Sequence, residues 1–247
     1  MKVQKEKGLI KMIILVLVVI CIDIILEYGI TLVKLNSHIL DDYLVSGIII
    51  QSFMLISGIV LYYLFINQNV ISTLFPKKTY KTSMKYVYKF LLIFPVLLIF
   101  IYFMVYLFDQ STWHTLQETT LTQEPPLWKI IIFEAIFPGL GEEMLYRGFL
   151  LSLLVYPYMM MNKTLSRKHL ILAIVFTSII FSIAHFGYQF SPFNITYDAY
   201  QLATAFLLGS VEGYVFLRTK NLCGPILIHN ASNLILSAFP LMIGLIF

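Results

Sequence analysis

Gly141-Glu142-Glu143-Met144-Leu145-Tyr146-Arg147-Gly148 sets two adjacent carboxylates and an arginine between the apolar stretches 128–137 and 149–155. The two flanks together make a run long enough to cross a bilayer, which takes roughly 20 apolar residues. Charge at that depth costs at least ~2.5–3.5 kcal/mol per residue on insertion scales, so it faces a bundle interior and has a task. The stretch therefore implies further helices around it, and a reason for its charges.

The composition agrees. Of 247 residues, 59% are hydrophobic and only 12% are charged, with two cysteines and a formal charge of +4. Soluble domains carry about twice that charged fraction, and no block of basic residues resembles a nucleic-acid patch. Cys21 and Cys223 both fall in or beside apolar runs, so no disulfide framework is implied. The basic N-terminus leads into an apolar run with no small-residue cleavage site, which reads as a retained first span.

Hydropathy predicts an all-α, polytopic transmembrane helical bundle of seven spans, at about 9–32, 44–66, 87–108, 127–156, 169–187, 198–217 and 222–247. Pro240 could split off an eighth element. Residues 67–89, with Lys77, Lys78, Lys81, Lys85 and Lys89, look like an amphipathic surface element. Pro138-Gly139 and Gly141 are expected to break the fourth span, and 188–197 to form a polar-aromatic loop. With the N-terminus in the cytoplasm, fourteen of the seventeen basic residues fall on the inner side, as the positive-inside rule requires. This predicts a multi-pass cell-membrane protein. Residues 1–126 contribute spans without a catalytic motif, and 127–247 contribute the functional core.

Several spans hold polar residues. Asp23 and Glu27, four apart, read as a water-lined or interfacial stripe, and Glu134 as an outer-interface residue. Glu212, in Gly209-Ser-Val-Glu-Gly213, reads as a structural hydrogen-bonding group, with a supporting catalytic role as the alternative. Glu143 and Arg147 are four apart and share a helix face, where a charge-assisted pair offsets part of the burial cost. Glu142 is turned ~100° from Glu143 and does not readily share that partner. It stays free to take up a proton, as a general base or acid does. An ion pair serving only helix packing would explain Glu143 and Arg147 but not Glu142. His185 closes Phe181-Ser-Ile-Ala-His185, and His229 shares a face with Asn233 in His229-Asn-Ala-Ser-Asn233. Imidazole can donate to an oxyanion, bind a metal or relay protons, whereas asparagine is a donor and a poor metal ligand. On the predicted spans His229 lies near the inner end of its helix and His185 near the outer end of its own, so a meeting of the two needs strong tilt or offset.

Glu-Glu-x-x-x-Arg, Phe-x-x-x-His and His-x-x-x-Asn, in that order on three spans, resemble the CAAX protease and bacteriocin-processing (CPBP, or Abi) family of intramembrane endopeptidases. The lead-in 217–229, Leu-Arg-Thr-Lys-Asn-Leu-Cys-Gly-Pro-Ile-Leu-Ile-His, resembles the same family, and the likeness covers about 127–237. The resemblance implies that Glu142 with His185 activates a water for attack on a peptide carbonyl. It implies that His229 and Asn233 stabilise the oxyanion, with Glu143 and Arg147 as support. No cofactor is favoured; a zinc site, if any, would use Glu142, His185 and His229. The implied partners are a membrane-associated peptide or protein substrate and the lipid bilayer, with no nucleic acid. The lysine- and isoleucine-rich composition suggests an AT-rich bacterial genome, where prenylated substrates are not expected. That favours a leader, pheromone or bacteriocin-type precursor. The rival readings are a non-catalytic immunity or scaffold protein and a small proton-coupled transporter; the absence of an internal repeat weighs against the transporter.

Overall fold

The computed structural model describes residues 13–22, 24–26, 28–29, 42–66, 69–114, 125–155, 166–190 and 193–246. The expectations for the N-terminal lysines, Asp23, Glu27 and Lys34 lie outside them. The described chain is helical: α1 (Ile13–Leu26), α2 (Tyr43–Ile66), the short α3 (Val70–Leu74), α4 (Lys77–Phe108), α5 (Leu127–Glu143), α6 (Arg167–Ile183), α7 (Ala199–Thr219) and α8 (Cys223–Ile246). α5 continues without interruption into a π-helical segment, Met144–Leu151.

Among the described residues, two helices, α2 and α4, are long and apolar enough to cross a membrane. Their most apolar 18-residue windows have mean hydropathies of 2.2 and 2.8, yet only 22% and 11% of those windows are buried. The core helix of a water-soluble protein would be mostly buried. Large apolar side chains exposed at this density need another apolar phase outside them. α2 turns one stripe inward, Ser46, Gly47, Gln51, Met54, Gly58 and Tyr62, at helical spacing, and lays it along α5.

Four elements differ from the hydropathy reading. The lysine-rich segment is not a separate surface element. Pro76 starts α4, which then runs unbroken from Lys77 through the third apolar stretch and Pro95 to Phe108. Its five lysines are exposed on the first turns. Pro138 does not break α5 either, and Asn230 of α8 braces the backbone on both sides of it. Its Oδ1 accepts from Gly139 N–H at 2.7 Å and its Nδ2 donates to the Ile136 carbonyl at 3.2 Å. In the fifth predicted span the helix, α6, stops at Ile183, which leaves His185 in the turn beyond it. The expected loop contains an antiparallel hairpin, β1 (Gly187–Phe190) with β2 (Phe193–Thr196), whose Tyr, Phe, Ile and Thr residues favour strands. Pro240 does not end α8.

α7 and α8 are joined by a tight corner. Lys220 takes a left-handed conformation (φ 53°) at the end of α7, a place where glycine is more usual. Leu222 N–H then donates to the Leu74 carbonyl at 2.7 Å, and buried Asn221 donates to the Pro76 carbonyl at 3.0 Å. These bonds pin the start of α8, and so the height of His229, to the α3–α4 connection.

Candidate active site

The two adjacent glutamates face different neighbours. Glu143 is fully buried and accepts from Arg147 Nη1 at 2.7 Å, the pairing that four-residue spacing leads one to expect. Arg147 reaches a second carboxylate with its other terminal nitrogen, donating to Glu212 of α7 at 2.6 Å. Its guanidinium carbon lies 4.2 Å from the centre of the Phe181 ring, so an aromatic face covers what the carboxylates leave. Removing one member of so buried a group leaves an uncompensated charge, at a cost of about 3–5 kcal/mol. Arg147 belongs to the π-helical segment, all of whose residues are buried. Such segments are concentrated at functional sites.

Glu142 points elsewhere. It accepts from Gln51 Nε2 of α2 at 2.7 Å, and its other oxygen lies 3.7 Å from His229 Nε2. It keeps 15% of its side chain accessible and Glu143 none, so only Glu142 of this pair can meet water. His229 stands between them: its Nδ1 is 3.0 Å from Glu143 Oε1 and 3.7 Å from Glu212 Oε1. An Nδ1 facing ionised Glu143 is a donor, which fixes where one imidazole proton sits.

His185 and His229 do converge, despite their different heights in the chain. Phe181 packs edge-on against both rings, with centroids 4.9 and 5.8 Å away. Both histidines and Asn233 line one cavity of about 610 Å³, together with Glu134 and Glu212. His185 Nδ1 bonds the Phe181 carbonyl at 2.9 Å, which leaves Nε2 as its free nitrogen. No ion pair joins His185 to Glu142 among the described residues. Glu134 accepts from Tyr43 of α2 at 2.9 Å and interacts with Asn233.

Residues 124–235 match the family model described as Type II CAAX prenyl endopeptidase Rce1-like. This segment is similar to Rce1-like domains. Their family consists of membrane peptidases, and all three motifs lie within the segment. No curated protein and no solved structure matches the chain.

Two residues that shape this site escaped sequence reasoning. Gln51 lies outside the matched segment; the only signal was a lone amide in an apolar span. Asn230 sits beside His229, and a neighbouring proline in another helix gave no hint of its register. A metal fits poorly. Glu142, His185 and His229 do not form a ligand cluster among the described residues. The cluster that does form, Glu143, Glu212 and His229, has one donor atom from each within 4.8 Å of the others. Both of its carboxylates are already held by Arg147, whose fixed positive charge would repel a cation there.

Proposed function

We propose that the chain is a multi-pass intramembrane endopeptidase that hydrolyses one peptide bond of an amphipathic, membrane-associated precursor, of the leader, pheromone or bacteriocin type. Seven spans with the N-terminus in the cytoplasm remain the topology that the loop charges favour. The observation that carries the reading is the setting of His229. It stands between a water-accessible glutamate and a buried, ion-paired one, on the wall of a cavity that also holds His185 and Asn233. That cavity offers Leu98, Ile101 and Leu236 beside its polar groups, which suits an amphipathic segment.

In this mechanism Glu142, with His185, takes a proton from water as its oxygen attacks the peptide carbonyl. His229 and Asn233 donate to the oxyanion. Since Nδ1 of His229 already donates to Glu143, the oxyanion bond must come from a protonated Nε2. Glu142 then returns its proton to the departing amine as the C–N bond breaks. Gln51 orients Glu142, and Glu143 with Arg147 orients His229.

The test begins with peptides that accumulate in cells lacking the protein. These are offered to purified wild-type, Glu142→Ala and His185→Ala proteins in liposomes. Each variant is expected to lose about 10²-fold or more in rate while keeping its thermal unfolding midpoint. Full activity in both would sink the mechanism.

A further inference from the structure

Glu212 belongs to none of the three motifs, yet it is 1% exposed at the centre of the charged cluster. Room for it is built in: a Cβ at Gly209, one turn earlier, would stand 2.8 Å from Arg147 Nη2. Arg147 spends one terminal nitrogen on each of Glu143 and Glu212, at 2.7 and 2.6 Å. Glu143 Oε1 is then satisfied by Arg147 and His229, while Glu143 Oε2 is buried without any partner of the ordinary donor kinds. A Glu212 carboxyl oxygen lies within 4.8 Å of a Glu143 carboxyl oxygen. Two ionised carboxylates cannot hydrogen-bond, so a bond to the orphaned Glu143 Oε2 requires that Glu212 bring a proton.

Charge counting points the same way. The charged groups around His229 are Glu142, Glu143 and Arg147 from α5 and its continuation, and Glu212 from α7. His185 stands across Phe181, and Glu134 lies further along the cavity. With His229 as an imidazolium, ionised Glu142 and Glu143 are balanced by His229 and Arg147. An ionised Glu212 would add one uncompensated negative charge on a side chain only 1% exposed, which is strongly unfavourable.

We propose that Glu212 is a neutral carboxylic acid whose hydroxyl donates to Glu143 Oε2, which makes it a positioning residue for His229. Its proton saturates Glu143 and locks the rotamer that holds Oε1 against His229 Nδ1. Nε2 is thereby kept aimed at Glu142. The role assigned to His229 rests on the endopeptidase reading; the state of Glu212 rests on the contacts alone.

The experiment compares full-length wild-type protein with Glu212→Gln and Glu212→Leu in liposomes. A glutamine amide mimics a neutral acid, since it donates to Glu143 and accepts from Arg147; leucine does neither. Infrared difference spectra at neutral pH should show a hydrogen-bonded carboxylic-acid C=O band that Glu212→Gln removes. Glu212→Gln should unfold at the wild-type temperature and Glu212→Leu well below it. On a peptide that the wild type cleaves, Glu212→Leu should lower kcat about tenfold with little change in KM, and Glu212→Gln should restore it. Absence of the acid band from the wild type would overturn the proposal. So would a Glu212→Gln protein as unstable as Glu212→Leu, the outcome expected of an ionised Glu212. Spectra and unfolding need no substrate, so they decide the point even if no peptide is cleaved.

Discussion

Glu142 and Glu143 are neighbours in sequence with opposite surroundings, and the difference is set by who reaches them. Arg147, four residues on, claims Glu143, and this was legible from helical spacing. The partner of Glu142 was not, because Gln51 is 91 positions away and only the register of α2 against α5 brings it near. The Gln51 bond holds a carboxylate that otherwise has several rotamers. Gln51→Ala should therefore lower kcat by about tenfold, a smaller loss than Glu142→Ala causes, with KM close to wild type. A steady-state comparison of the two variants measures this, and an unaltered kcat would remove Gln51 from the site.

At the scale of helices, the decisive contact is the closeness of α2 to α5. A Cβ at Gly141 would lie 2.3 Å from Gln51 Oε1 and 2.6 Å from the Gln51 carbonyl oxygen. No rotamer of Gln51 relieves the backbone part of that clash, so Gly141→Ala must push the two helices apart. The expected cost is about 1–3 kcal/mol, read as a lower unfolding temperature in detergent. Cleavage should fall as well, because Gln51 retreats from Glu142. Sequence patterns located α5 well but misjudged its middle. Proline and two glycines argued for a break, whereas a side chain from α8 bonds the backbone on both sides of the proline and the helix carries on into its π-helical turn. Such bracing depends on a residue in another helix, so the local sequence is silent about it. The hairpin after His185 was missed because it is only four residues per strand, too short for alternation to stand out.

For the whole molecule, hydropathy marked the apolar stretches of α2 and α4, and the three motifs fall within the segment that matches the family model. The ends of the bundle carry their own chemistry. Asp109 accepts from the Thr112 amide and from the hydroxyls of Ser111 and Thr112, and these bonds hold its carboxyl down at about 2. Lys129, by hydrogen bond and charge, holds Asp42 below the ordinary carboxylate range. Both groups bind protons more weakly folded than unfolded. Their contribution to stability is therefore complete above the ordinary aspartate value of 3.8 and is lost as the pH falls, for Asp109 through about 2. Thermal unfolding followed downward across that window should show a loss in the wild type that Asp109→Asn reduces. The α2–α5 contact has a last consequence. The recognisable segment begins at residue 124, but Gln51 and Tyr43, which hold Glu142 and Glu134, precede it by a long stretch of chain. What similarity detects is thus smaller than the set of residues in contact around the motifs. Grafting this segment behind a foreign set of N-terminal helices would transfer every motif and still leave Glu142 without its anchor, unless an amide were provided opposite Gly141.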